Sequence, residues 1–290
     1  MRARTKAVKR NEWGFAVAAV AAMLLWGAPC AAQVAGIMPE PDVPGIAGIA
    51  VGVMPDYEGS NDYTIGVAPY FRYTFTGQER YVQLFANELS ANLLNHPNFQ
   101  FGPMVAYRFG RASVDDEVVK LMQDIDDTVE IGAFASYIYR SQNPRQRFIA
   151  IVDVLGDVGG VSDGVRGGVG ARYWHPVASA MDVMIGARFN LASTNYMNTY
   201  FGVSAADSGQ SGLPLFEASG GAKDVALQAA AVVYLSPSWL LGVGVRYARL
   251  LGDAADSPIV DGRGSADQLM AGMGIGYVWG GKQSGQRLAR

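Results

Sequence analysis

Between Asp267 and Trp279 large and small side chains alternate strictly. Leu269, Ala271, Met273, Ile275, Tyr277 and Trp279 share one parity, and Gln268, Met270, Gly272, Gly274, Gly276 and Val278 the other. A period of two places successive side chains on opposite faces of a strand. One face of this strand is therefore greasy and the other mostly glycine. The pattern predicts a greasy face that meets lipid and a glycine face that is crowded or wet. Tyr277 and Trp279 close it at a lipid headgroup level, where amphipathic rings settle. Taken alone, the segment also suits a half-buried strand of a soluble sandwich.

The rest of the chain repeats the pattern. Ile65, Val67, Pro69, Phe71, Tyr73 and Phe75 form one apolar face; Phe99, Phe101, Val105, Tyr107 and Phe109 the next; Val129, Ile131, Ala133, Ala135, Tyr137 and Tyr139 another. Residues 165–174, 181–191, 225–235 and 241–247 behave alike, 147–157 is mixed, and 46–53 is short and weakly patterned. Proline cannot donate to a ladder, so Pro69 in mid-strand predicts a bulge, and His175-Pro176 predicts the start of a tight turn. Residues 81–94 read either as one long bent strand or as two short ones breaking near Asn87. Short turns at Asn143, Ser179 and Pro237 alternate with long loops at 193–223 and 252–264, as in transmembrane barrels. Splitting 81–94 brings the strands to twelve, an even number that leaves both ends in the periplasm; omitting 46–53 brings them to ten. The expectation is an all-β, transmembrane, antiparallel up-and-down β-barrel of twelve strands over 46–279, with ten as the alternative.

Composition narrows this further. The chain has 290 residues, 36 of them Gly, and only 17% are charged. Beyond the N-terminus no apolar run reaches the length of a membrane-spanning helix, so any crossing is made by strands. Arg2, Arg4, Lys6, Lys9 and Arg10 precede a short apolar core at 15–26, and Cys30-Ala31-Ala32 offers small residues for cleavage, so 1–32 reads as a secretory signal peptide. A lipid anchor on Cys30 is disfavoured by Pro29 before it. Cleavage removes the only cysteine, and with it any disulfide framework. It also removes five basic residues and one acidic residue, leaving 18 against 25 and a net charge of about −7, which argues against nucleic acid as a partner. Residues 33–45, with three prolines and no periodicity, read as a periplasmic linker, and 280–290 as a polar C-terminal tail.

Opposite the apolar stripe fall Arg72, Arg108, Arg140, Arg166, Arg172, Arg188 and Arg246, with Glu130, Asp182 and Asp224. A lipid-facing arginine costs about 2–4 kcal/mol near the midplane, so these side chains are expected to line the lumen. They are either an anion-favouring selectivity lining or a paired network filling a narrow barrel. No catalytic constellation accompanies them. The histidines, His96 and His175, each precede a proline, and neither has a serine signature beside it. The loop carrying Asp115, Asp116, Glu117, Asp124, Asp126 and Asp127 lacks the glycine of a calcium loop and reads as solvated. No metal or cofactor is expected.

Several stretches carry a resemblance. Pro55-Asp56-Tyr57-Glu58-Gly59-Ser60, Gly110-Arg111, Asn195-Tyr196-Met197-Asn198-Thr199-Tyr200-Phe201-Gly202-Val203-Ser204, Ser211-Gly212-Leu213-Pro214 and the run from Arg249 to Val260 resemble the MipA/OmpV family of Gram-negative outer-membrane proteins. The resemblance spans essentially the whole mature chain, apart from a polar tail after Trp279 where family members tend to end on an aromatic. It implies a non-enzymatic barrel exported through the periplasm to the outer membrane, embedded in outer-membrane lipid. The founding member is named for interacting with a lytic transglycosylase, which it is described as joining to a murein synthase, and both are implied as partners here. Within the shared motifs, Tyr57, Glu58, Gly59 and Ser60 form a turn-rich rim segment, and Tyr196, Tyr200 and Phe201 belong to a loop that either folds over the mouth for a function or merely steadies the rim. Three classes follow: a scaffold acting through loops or turns, a small porin-like channel for polar or anionic solutes, and, least favoured, a barrel enzyme.

Overall fold

The structure, a computed structural model, is described for residues 45–280. The signal segment, the linker up to its last residue and the tail beyond Gly280 lie outside the described residues. Twelve strands follow in order: β1 (Gly45–Pro55), β2 (Tyr63–Thr74), β3 (Tyr81–Phe85), β4 (Glu88–Asn92), β5 (Phe99–Arg108), β6 (Thr128–Arg140), β7 (Arg147–Asp157), β8 (Val165–Ala178), β9 (Met181–Ala192), β10 (Gly221–Tyr234), β11 (Trp239–Leu250) and β12 (Asp267–Trp279). Each pairs antiparallel with its neighbours, and β1 meets β12 to close the barrel, with Gly45 opposite Trp279 and Val53 opposite Ala271. The glycines of this seam are required by close approach: a Cβ at Gly48 or Gly52 would lie 2.6 Å from a carbonyl oxygen of β12.

The predicted parity places the side chains. Val51, Ile65, Phe101, Ile131, Val152, Val169, Ile185, Leu227 and Met273 all point outward and are exposed, an apolar belt around the barrel. Such a surface suits hydrocarbon and would be an aggregation hazard in water. At the short-turn end the belt is edged by ring pairs, Trp239 with Tyr277 and Phe99 with Tyr137, each with centroids 5.1 Å apart. The Val152→Arg variant, which puts a charge on the lipid face of β7 midway along the strand, is expected to lose about 2–4 kcal/mol of folding stability in liposomes, measured by reversible urea unfolding; the conservative Val152→Ala is the control.

As the twelve-strand reading expects, the chain at 81–94 splits at Ala86-Asn87 into β3 and β4, five residues each. Three local expectations change. Pro69 makes no bulge: the register of β2 on β1 runs unbroken through it. Its carbonyl accepts the Ala86 N–H at 2.8 Å, and its missing N–H falls where β3 ends, so no ladder bond is lost. His175-Pro176 starts no turn; β8 runs on to Ala178, with His175 opposite Val183, and a register shift between Pro176 and Ala178 absorbs the proline. The long connection after β9 is not irregular. It folds as α1 (Thr194–Phe201) and α2 (Ala205–Ser211), and the loop after β11 carries α3 (Gly252–Asp256) and α4 (Pro258–Asp261).

The interior is layered. At the short-turn end Ile46, Ile138, Ile149, Trp174, Met184 and Leu240 point inward and are almost fully buried, forming an apolar plug. At the long-loop end α1, α3, α4 and the loops 56–62, 109–127 and 251–266 share a core containing Tyr57, Met122, Met197, Phe201, Ile259 and Val260. Charged side chains occupy the middle.

Candidate functional site

The site is built around Glu58. Gly59 has φ +105, a backbone conformation that favours glycine, and its N–H donates to Gln268 Oε1 at 3.1 Å while its carbonyl accepts the Ser265 N–H at 2.8 Å. This turn, with Ser60 buried behind it, sends the Glu58 carboxylate down into the barrel. There Arg108 donates to it at 3.0 Å, the Tyr196 hydroxyl at 3.1 Å, and the Lys223 ammonium also bonds to it. Lys223 points inward because the β9–β10 register shifts between Ala222 and Asp224, so two consecutive residues face the lumen. Asp224 takes Lys223 at 2.8 Å, Asn190 at 2.7 Å and Arg246 at 3.4 Å.

The cap closes over this cluster. Ser193 caps α1 by accepting the Tyr196 N–H, and the four-residue spacing puts Tyr196 and Tyr200 on one helix face with ring centroids 4.7 Å apart. The Arg108 guanidinium lies over both rings, 4.0 Å from Tyr200 and 4.6 Å from Tyr196. Phe201 is fully buried in the cap, and its carbonyl accepts the Ser257 hydroxyl at 2.5 Å. Arg111 donates to the Tyr200 carbonyl at 3.3 Å and lies near the Tyr57 ring. Burial pushes the Tyr57 phenol up to about 12, with Asp116 adding to it. Burial also raises Tyr196 and Tyr200 despite the facing Arg108, so Tyr196 stays a proton donor to Glu58.

A second tie fastens the cap. Arg263 grips Asp116 through two nitrogens, at 2.8 and 3.1 Å, and the Val118 and Val119 N–H groups donate to the same carboxylate. Burial alone would raise this carboxyl; the Arg263 and backbone bonds outweigh it and hold it below its usual value. The acidic loop is therefore only partly solvated: Asp116 is buried, whereas Asp115, Glu117, Asp124, Asp126 and Asp127 are exposed as expected. A depressed carboxyl contributes stability above its unfolded value of about 3.9, and that contribution disappears as pH falls through the folded value. Amide exchange in 109–127 and 251–266 should therefore accelerate as pH drops below about 4, after correction for intrinsic exchange, and the Asp116→Asn variant should remove most of that dependence.

The other inward charges divide by depth. Glu130 takes Arg166 at 2.6 Å, and Asp153 takes Arg188 at 2.7 Å. Arg166, Arg172, Arg188 and Arg246 line a central chamber of about 110 Å³ together with Glu88, Asp153 and Gln228. Nearer the short-turn end, Arg72 lies 3.7 Å over the Tyr81 ring and donates to Gln83 at 3.2 Å. Asp182 accepts Arg145 at 2.9 Å and the Tyr234 hydroxyl at 2.7 Å. Arg140 is partly exposed at the rim, donating to the Pro97 carbonyl and 3.8 Å from Glu79. Parity alone did not identify Glu58, Glu88, Arg145, Arg147, Asp153 or Lys223. Among the described residues no group of three or more His, Cys, Asp or Glu side chains is arranged to hold a metal ion. His96 stays in a turn, its Nδ1 accepting the Asn98 and Phe99 N–H groups.

Compared with known proteins, residues 47–279 match the family model described as MltA-interacting protein MipA. The comparison with curated proteins finds no match. Among solved structures the chain is similar to the NanC porin, at 8% identity and a TM-score of 0.45 over 80% of this chain and 98% of that one. It is also similar to an outer membrane channel from Pseudomonas putida F1, at 11% identity and a TM-score of 0.44 over 84% and 98%. OmpT, an outer membrane protein of Vibrio cholerae, aligns at 8% identity and a TM-score of 0.35 over 84% and 100%.

Proposed function

The chain belongs to the MipA family, and from that premise we propose that this outer-membrane barrel is a non-enzymatic interaction protein rather than a conduit. The observation that carries this reading is the closure of the interior at both ends. The apolar plug around Trp174 fills the short-turn end, and the helical cap pinned by Glu58, Arg108, Lys223 and Tyr196 covers the other. A barrel closed at both ends gains a rigid platform at the cost of a channel, and rigid elements hold binding surfaces in fixed geometry. With the signal peptide removed during export, the short turns face the periplasm. The family's name supplies the partner class: a murein lytic transglycosylase, with a murein synthase as the further partner the resemblance implies.

The test is photo-crosslinking in the cell envelope. A crosslinking residue at Asn143 or Ser238 on the short turns is expected to capture a murein enzyme, and one at Ser208 on the cap is not. Equal capture at both ends, or capture of murein enzymes at neither, would sink the proposal. The arginine-lined chamber favours a second reading, a small channel for anionic solutes opened by displacement of the cap, which a bilayer recording separates from the first.

A further inference from the structure

The barrel wall has a window. The tip of the β3–β4 hairpin, Ala86-Asn87, reaches only Pro69 of β2 and Tyr107 of β5, where Ala86 donates to the Pro69 carbonyl at 2.8 Å and Tyr107 to the Asn87 carbonyl at 2.9 Å. Beyond that tip, β2 continues through residues 63–68 with β1 as its only ladder partner among the described residues. Antiparallel pairing alternates the direction of backbone groups along a strand. Since the Pro69 carbonyl turns toward β3, the N–H and C=O of Val67 and Ile65 turn into the gap. Loop 109–127 frames the top, where the Asp115 N–H donates to Asp56 at 3.0 Å. With strands roughly 4.8 Å apart, two are missing at this level. The window opens at the depth of the apolar belt, beside Ile65, which is 69% exposed, and Leu89. An unpaired strand edge facing hydrocarbon costs several kcal/mol per group, so an occupant with polar atoms as well as hydrocarbon suits it.

Behind the window two cavities meet at Phe85. One is apolar, against Gly52, Met54, Gly66, Ala68, Gly244 and Gly272. The other is the central chamber, lined by Arg166, Arg172, Arg188, Lys223 and Arg246 with Glu88 and Asp153; Glu130, Glu58 and Asp224, which pair with Arg166, Lys223 and Arg246, do not line it. Gln228 lines that chamber at only 8% exposure, and its carboxamide oxygen has no hydrogen-bond partner among the described residues. A buried acceptor left unmatched is costly, and here it borders open space, where it suits a hydroxyl of a ligand's head and not the anionic group itself. Gly66 and Ala68 form both the edge of the window and the wall of the apolar cavity.

We propose that the barrel binds one single-chain anionic amphiphile, taken from the membrane through this window, with its hydrocarbon chain along the glycine-lined wall and its head in the arginine chamber. Fatty acids and lysophospholipids share this chemistry. Native mass spectrometry of the mature protein, titrated in detergent with oleate, oleoyl-lysophosphatidylglycerol or the uncharged oleyl alcohol, tests it. The expected result is a single bound molecule for one or both anionic probes and at least about tenfold weaker binding of oleyl alcohol, the loss of one charge-assisted contact. Which anionic probe binds tells fatty acid from lysophospholipid. The Ala68→Phe variant fills the apolar cavity and Arg188→Gln removes a chamber cation, and each is expected to weaken binding at least about tenfold. Arg172→Gln replaces the second if it fails to fold, as judged by heat-shifted electrophoretic mobility, while Val152→Ala on the lipid face leaves binding unchanged. Several molecules bound without saturation, equal affinity for oleyl alcohol, or indifference to these interior changes would overturn the proposal.

Discussion

Replacing Glu58 with alanine should loosen the cap by about 3–5 kcal/mol, the cost of breaking a buried ion pair by removing one partner. The reason is the number of groups that depend on one carboxylate. Arg108, Lys223 and the Tyr196 hydroxyl all donate to it, and all three are buried. Lys223 keeps Asp224 after the change, and Arg108 keeps the Tyr196 and Tyr200 rings beneath it, so the lower end of that range is the expectation. Hydrogen exchange should show it as local opening, with amides of α1 and of loop 56–62 exchanging at least about 100-fold faster, since each 1.4 kcal/mol is a factor of ten. The strand amides of β6 to β9 should stay protected. Glu58→Gln keeps an acceptor but loses the charge, and should fall between the two. Unchanged exchange in α1 would mean that the cap is held by its apolar core alone.

The second large effect lies at the opposite end. Trp174 is the largest side chain of the apolar plug; it is almost fully buried, and the Arg147 guanidinium stacks 5.2 Å from its ring. Truncation of a buried aromatic costs about 3–5 kcal/mol, because the space left by the ring is only partly refilled. Trp174→Ala should therefore lower the urea midpoint of the whole barrel, in contrast to the local effect of Glu58→Ala. It should also remove the ring that the Arg147 guanidinium lies over. Trp174→Phe, which keeps a ring, should recover most of the loss. A Trp174→Ala variant as stable as the parent would mean that the plug relaxes to fill the space and contributes little.

The two ends of the barrel differed in how far the sequence disclosed them. Outward parity was legible in most strands because lipid favours apolar side chains, which gives stripes such as Leu269 to Trp279, whereas 46–53, 81–94 and 147–157 carried a weaker pattern. The inward arginines were legible by the same argument in reverse. The plug was not, because Ile138, Ile149, Trp174 and Met184 are apolar on the parity expected to be polar or small, and a strand apolar on both faces has no period to read. Lys223 was hidden by a bulge that shifts parity by one residue. The helices of the long connection left a signal in Ser204 and Asp207, which make a capping box over α2; a structureless stretch of that length was itself a warning. That the Tyr57 to Ser60 and Tyr196 to Phe201 motifs meet through Glu58 and Tyr196, 138 positions apart, follows from barrel closure, which no local spacing encodes.

Single-channel recording of the mature protein in a planar bilayer distinguishes a barrel closed at both ends from an open one. With both ends closed, the parent protein gives no steady conductance, and brief openings at most follow once Glu58→Ala has loosened the cap while the plug around Trp174 stays in place. Steady conductance from the parent, biased toward anions and reversed in selectivity by Arg188→Glu or Arg246→Glu, would contradict that closure and make the chamber a working pore.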